Sequence, residues 1–262
     1  MPWLDVAGTD LHYVDEGAGQ PLVFLHGFTS CAEAWFQQFA FFRPRYRVIA
    51  YDSVNHGMSS SSPRDADEPD RVDELDALLT ALSIERPVLL GNSMGGNTVL
   101  RWAARYPARA RALVPSGTGI GAVAAGPRAG LRAPIDDRTL LLPIGDSLTD
   151  RFRRREPVLH ARYLRVRSTA TSIENRRHPR RPSAQSVAER ESLAERIAQV
   201  RSPLLAVVGS LDAAVPRAEA LHKCVPHSEY ACIEGAPHNV YYEAAAEYNR
   251  IVAAFLERAL AA

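Results

Sequence analysis

Three polar residues far apart in the chain have the types and local settings that nucleophilic acyl transfer needs. Gly91-Asn92-Ser93-Met94-Gly95 reads G-x-S-x-G, directly after an apolar run and before a helical pattern. Glycines at both ends let the backbone turn sharply there and present Ser93 in a strained conformation with an exposed hydroxyl. The N–H groups at the start of the following helix favour negative charge developing at the same spot. A hydroxyl is a weak nucleophile near neutral pH, so it needs a base, and the base needs an orienting acid. His238, in Glu234-Gly235-Ala236-Pro237-His238, and Asp212, in Gly209-Ser210-Leu211-Asp212, both follow apolar strand-like runs and suit those roles. Each also has a plainer use: a phosphate-cradling turn for Gly91–Gly95, a helix cap or turn before Val215-Pro216 for Asp212, and a surface loop for His238. An oxyanion would need two donors, the Met94 N–H and the Phe28 N–H, the latter from the loop after Pro21–Leu25 where Gly27 allows close approach.

The elements that must position these groups follow from the periodicity. Trp3–Val6 and Leu11–Val14 flank a Gly8-Thr9-Asp10 turn, a hairpin pattern. Pro21–Leu25, Arg47–Tyr51, Pro87–Leu90, Ala112–Val114, Pro203–Val208 and Glu229–Ile233 are short apolar runs of the kind buried on both faces of a sheet. Helical spacing covers Ala32–Phe42, Asp70–Leu82, the stretch after Ser93 to Tyr106, a short segment from Arg217, and Tyr241–Leu260. Strands alternating with helical crossovers predict an α/β domain with a mostly parallel sheet. At the carboxyl edge of such a sheet, Ser93, Asp212 and His238 would gather.

Residues 121–200 break the pattern, being proline-interrupted and without a clear strand. We expect a core from residues 1–120 and 201–262 and a helical cap from residues 121–200. Arg128 to Arg196 holds sixteen arginines against nine acids, so this stretch is basic while the remainder is acidic. The excess fits either a solvated surface, paired in part with Asp136, Asp137 and Glu174, or a roof that attracts an anionic substrate. Arg153-Arg154-Arg155 and Arg176-Arg177…Arg180-Arg181 are expected to face outward, since guanidinium clusters are costly to bury.

Composition narrows the alternatives. The chain has 262 residues, 46% of them hydrophobic, enough for a large buried core. Its net charge of +1 is too even for a nucleic-acid-coating protein. The only lysine is Lys223. Cys31, Cys224 and Cys232 are too few and scattered for a disulfide framework or a zinc cluster and read as reduced thiols, so no metal or organic cofactor is expected. The start, Met1-Pro2-Trp3-Leu4-Asp5, shows no secretory pattern, and no apolar run approaches the roughly 18 residues of a membrane span. A cytoplasmic protein with a small-molecule substrate, no nucleic acid partner and no membrane is expected; the oligomeric state is left open.

His26-Gly27-Phe28, Asp52…Asn55-His56-Gly57-Met58-Ser59, Gly91–Gly96, Gly209…Asp212…Val215-Pro216 and Gly235…His238 together resemble the α/β-hydrolase superfamily over essentially the whole length. The resemblance implies its fold and its Ser-His-Asp chemistry. It also implies a structural role for the His56 turn, which the superfamily usually writes with Gly at the Asn55 position. His26 is expected to pack and hydrogen-bond within its loop. Serine at the elbow argues against halide displacement and epoxide opening, where relatives use aspartate. Asn92-Ser93-Met94-Gly95-Gly96 with Gly117–Gly121 is similar to carbon–carbon bond hydrolases of aromatic ring-cleavage pathways. That likeness implies substrate contacts for Asn92, for the residue after the histidine, here Asn239, and for a cap arginine gripping a carboxylate, here Arg162. Phe28-Thr29-Ser30 and Asn239 depart from that group, which has a glycine-rich loop and commonly a tryptophan there. His26–Ser30 is also similar to small-molecule esterases. Three functions stay open: a serine hydrolase of a small ester, lactone or thioester (or a carbon–carbon hydrolase), a proton-transfer or elimination enzyme on the same machinery, and a small-molecule receptor.

Overall fold

The computed structural model describes residues 2–6, 9–63, 66–121, 147–171 and 182–261. Its strands are β1 (Trp3–Val6), β2 (Thr9–Glu16), β3 (Pro21–Leu25), β4 (Arg47–Tyr51), β5 (Val88–Asn92), β6 (Ala112–Ser116), β7 (Leu205–Gly209) and β8 (Glu229–Ile233). They form one sheet in the order β1-β2-β4-β3-β5-β6-β7-β8. From β4 to β8 all neighbours are parallel, while β1 and β2 join one edge antiparallel. The hairpin forms as expected, with Val6 opposite Thr9, although Gly8 itself lies outside the described residues.

Alternation along the strands divides the core into two layers. Leu22 and Phe24 of β3 bury against Trp35, Phe42, Tyr241 and Tyr248 on one face. Val23 and Leu25 bury against Leu75, Leu79 and Trp102 on the other. The described helices are α1 (Phe36–Phe42), α2 (Arg71–Ala81), α3 (Met94–Arg105), α4 (Asp150–Arg155), α5 (Pro157–Thr169), α6 (Ala184–Glu191), α7 (Leu193–Ile197), α8 (Val215–Cys224), α9 (Val240–Glu243) and α10 (Ala245–Ala261). The Asp70 side chain caps α2 by accepting from the Val72 and Asp73 N–H groups.

Two expected helices are each divided. Ala32–Trp35 is a 3₁₀ turn leading into α1, and the single helix expected over Tyr241–Leu260 is α9 followed by α10. The second break has a visible cause. The Gln38 and Gln37 side-chain amides donate to the Tyr241 and Tyr242 carbonyls, both at 2.9 Å, so side chains cap the end of α9. Between β6 and β7 the described residues 147–171 and 182–200 carry only α4–α7 and an isolated bridge at Pro182. Arg154 and Arg155 are exposed, as expected, whereas Arg153 is half-buried and donates to Asp150 at 2.8 Å. Arg128, Asp136, Asp137, Glu174, Arg176, Arg177, Arg180 and Arg181 lie outside the described residues. No helix among the described residues is long and apolar enough to cross a membrane.

Candidate active site

Ser93 is the hinge between β5 and α3, with φ 54° and ψ −108°, a conformation non-glycine residues rarely adopt. The bend holds because its backbone is bonded on both sides: its N–H donates to the Ser116 carbonyl at 2.8 Å, and its carbonyl accepts from Asn97 N–H at 2.9 Å. Gly95 is required by contact, since a Cβ there would run into the backbone of Leu25 and His26 on β3 and its loop.

Asp212 follows β7 and meets His238 from the loop after β8. The Asp212 N–H donates to the Gly209 carbonyl at 2.9 Å, and its Oδ1 accepts from Ala214 N–H at 2.9 Å. This is the turn use expected of an aspartate before Val215-Pro216, since the helix that follows is capped at Ala214. Its other oxygen, Oδ2, accepts from His238 Nδ1 at 2.8 Å, so the two uses coexist. With Nδ1–H donated to the carboxylate, Nε2 is left as the acceptor. Ser93, Asp212 and His238 line one cavity of about 800 Å³. Ser93 Oγ and His238 are not hydrogen-bonded to each other.

Phe28 and Met94 line the same cavity. Among the described residues neither backbone N–H has a hydrogen-bond partner, which leaves both able to receive an anionic oxygen. The loop carrying Phe28 is fixed from beneath. The buried His26 ring bonds the Gly27 carbonyl through Nδ1 at 2.8 Å and accepts from Ser53 N–H through Nε2 at 3.0 Å. Burial pushes its pKa down to about 4, so His26 is a neutral strut between two loops. His56 is also buried and held well below its ordinary value, first by loss of hydration and then by the charge of Arg71. Asn55 takes φ 69° in the turn, which explains how asparagine stands where glycine is usual.

The three expected substrate contacts are placed elsewhere. Asn92 and Asn239 are buried, and neither lines the cavity. Asn92 Nδ2 donates to Asn239 Oδ1 at 3.0 Å, and Asn239 Nδ2 donates to the Tyr163 hydroxyl at 2.6 Å. They cross-link the elbow, the histidine loop and α5. Arg162, on α5, stacks over the Phe36 ring at 3.7 Å and pairs with Glu33 at 3.3 Å, so its charge is used at the start of α1 and not at the cavity.

Sequence reasoning missed four arginines that line the cavity: Arg71, Arg101, Arg190 and Arg217. Arg71 bonds Glu68, and Arg101 bonds both Asp70 and Glu189. Arg217 lies five residues past Asp212, in the first turn of α8, which was the available signal. No group of three or more His, Cys, Asp and Glu suited to a metal occurs among the described residues.

An eight-stranded, mostly parallel sheet with a strained serine at the β5–α3 bend defines a class, the serine-elbow α/β proteins. Residues 22–251 match the family model described as the alpha/beta hydrolase family, and the chain belongs to that family. It is 37% identical over 112 residues to a putative non-heme chloroperoxidase of Synechocystis sp., covering 40% of this chain and 41% of the relative. It is 40% identical over 122 residues to the 2-hydroxy-6-oxononadienedioate/2-hydroxy-6-oxononatrienedioate hydrolase of Paraburkholderia phymatum, covering 44% and 42% respectively. These matches span well under two thirds of the relatives. Across nearly the whole length the fold resembles the enol-lactonase of Burkholderia xenovorans, with TM-score 0.81, 23% identity, and coverage of 98% of this chain and 100% of that one.

Proposed function

We propose that this chain is a cytoplasmic serine hydrolase that cleaves a small ester, lactone or thioester through an acyl-enzyme on Ser93. The observation that carries the reading is the 2.8 Å bond from His238 Nδ1 to Asp212, with that histidine and Ser93 on one cavity wall. His238 Nε2 takes the Ser93 proton as Oγ attacks the substrate carbonyl carbon. The carbonyl π pair moves to oxygen, and the N–H groups of Phe28 and Met94 receive that oxyanion. Collapse expels the alkoxide or thiolate, which takes the proton from His238. Water then adds to the acyl-enzyme by the same sequence and releases the carboxylic acid and free Ser93. Asp212 fixes the tautomer and stabilises the imidazolium. In this reading Ser93 Oγ and His238 come within hydrogen-bond reach when substrate binds, as catalytic groups often do.

A fluorophosphonate probe on wild type and Ser93→Ala, followed by assay of acyl-chain lengths and lactones, tests the proposal. Labelling that depends on Ser93, with turnover of at least one ester or lactone, supports it. Absence of labelling would point to a receptor on this fold, and labelling without hydrolysis would point to a proton-transfer or elimination enzyme. The 40% identity over 122 residues to a dienedioate hydrolase favours one second reading, carbon–carbon cleavage of a carboxylated diketone. A ring-cleavage diketo acid in the same panel separates the two.

A further inference from the structure

We infer that Asn239 and Tyr163 are positioning residues for the base: the hydrogen bond between them ties the histidine loop to α5 and keeps the His238 imidazole in register with Ser93. This deepens the hydrolase reading and rests on it.

The backbone that bears the base is weakly held. Pro237 has no N–H, and among the described residues no main-chain atom of Pro237 or His238 makes a hydrogen bond. The His238 ring itself is tied only through Nδ1 to Asp212, at 2.8 Å. Asn239, the next residue, is anchored far better. Its carbonyl accepts from the Tyr242 and Glu243 N–H groups at 3.0 and 3.1 Å. A side-chain amide offers an acceptor and a donor at once, and both are used here. Oδ1 accepts from Asn92 Nδ2 at 3.0 Å, and Nδ2 donates to the Tyr163 hydroxyl at 2.6 Å. Asn92 immediately precedes Ser93, and Asn239 immediately follows His238. The first of these bonds therefore joins the neighbour of the nucleophile to the neighbour of the base. All three side chains are buried, where water cannot replace a lost partner.

Both ends of this relay are fixed independently of it. Asn92 closes β5, which is paired on one side with β3 and on the other with β6. Tyr163 sits on α5, whose Leu159 carbonyl accepts from the Tyr242 hydroxyl at 2.9 Å. Arg162 and Arg165 of the same helix pair with Glu33, and the Ala170 carbonyl just past it accepts from Gly57 N–H at 2.6 Å. Asn239 thus spans two well-anchored elements, and its place between them sets where the loop carrying His238 lies. Neither Asn239 nor Tyr163 lines the Ser93 cavity, so losing their bond should slow the chemical step and leave substrate affinity alone.

The test takes the ester that wild type cleaves fastest and measures kcat, KM and the rate at which a neutral fluorophosphonate labels Ser93. Tyr163→Phe and Asn239→Leu are each expected to lower kcat and the labelling rate by about tenfold or more, with KM within about twofold. Because the hydroxyl acts through the amide, Tyr163→Phe should cost nothing further once Asn239 is leucine. Arg162→Gln, which disturbs a different contact of α5, should leave both rates nearly unchanged. The inference is overturned if folded Tyr163→Phe keeps wild-type rates, if the two losses multiply in the double variant, or if KM rises while kcat holds. Should Asn239→Leu fail to fold, the rates of Tyr163→Phe decide alone. If wild type neither labels nor cleaves any ester, the hydrolase reading fails separately. Amide hydrogen exchange then decides the positioning role: it stands if residues 238–240 exchange faster in Tyr163→Phe than in Arg162→Gln, and falls if they exchange alike.

Discussion

His12 and Asp52 meet through Nδ1 and Oδ2 at 2.8 Å, and His238 and Asp212 meet through the same atoms at the same distance. The surroundings differ. The His12 side chain is 6% exposed and its Nε2 is buried with no partner among the described residues, whereas His238 is 34% exposed and lines the cavity beside Ser93. Asp52 also accepts from Ala32 N–H at 2.7 Å and Met58 N–H at 2.9 Å, so it pins β2, the 3₁₀ turn and the His56 turn together. Burial alone would raise the pKa of Asp52. The hydrogen bond from His12 and the two N–H groups bring it below the usual carboxylate range. A histidine–aspartate bond is therefore no signature of catalysis by itself. What separates the pairs is whether the second ring nitrogen reaches a space where a substrate can lie.

The two pairs should break in opposite ways. Ser93→Ala is expected to lower kcat by about 10⁶-fold, measured on whichever ester the panel selects, with the far-ultraviolet circular dichroism unchanged. Asp212→Asn should lower kcat by roughly 10⁴-fold through loss of the correct tautomer, with a small change in Tm. Asp52→Asn should invert that pattern: about 2–4 kcal/mol of stability lost in urea titration, with most of the kcat of the folded fraction kept. Because the folded pKa of Asp52 is lowered, its stabilisation is present above the ordinary carboxylate value and lost as pH falls through the lower folded value. The stability gap between wild type and Asp52→Asn should therefore close in acid.

His26 gives a second pH effect. Its value falls from 6.5 unfolded to about 4 folded, so between those limits the unfolded chain binds a proton that the folded chain refuses. Stability from this group is complete above pH 6.5 and declines by about 3 kcal/mol as pH falls through that window. Urea titrations of wild type and His26→Asn at matched pH values would show it as a difference in slope. The smallest effect expected is at Arg162, whose stacking and ion pair are partly exposed. Arg162→Gln should change stability by less than about 1 kcal/mol and kcat/KM by less than about twofold.

The parts that were legible in sequence are those set by local pattern. The β3, β4 and β8 bounds follow from apolar runs ending at glycine, proline or charge, and the β5–Ser93–α3 bend follows from glycines that only a tight crossing requires. Asp212 and His238 were visible because each leaves a strand at the same edge. Partner choice was not legible. Whether Arg162 turns to the cavity or to Glu33 depends on where the 3₁₀ turn lies in space, and nothing within a few residues of Arg162 specifies it. Arg190 and Arg101 were hidden for the same reason, since α6 meets α3 only after the chain has passed through β6, α4 and α5. The divided final helix was missed because its cause is a pair of glutamine amides some two hundred positions earlier.

The Ser93 backbone has a thermal corollary. A residue without a Cβ would occupy φ 54°, ψ −108° with far less strain than serine does. Ser93→Gly should therefore give an inert protein that survives heating better than the active one, since the kink that exposes the hydroxyl is maintained against the conformational preference of the residue that bears it.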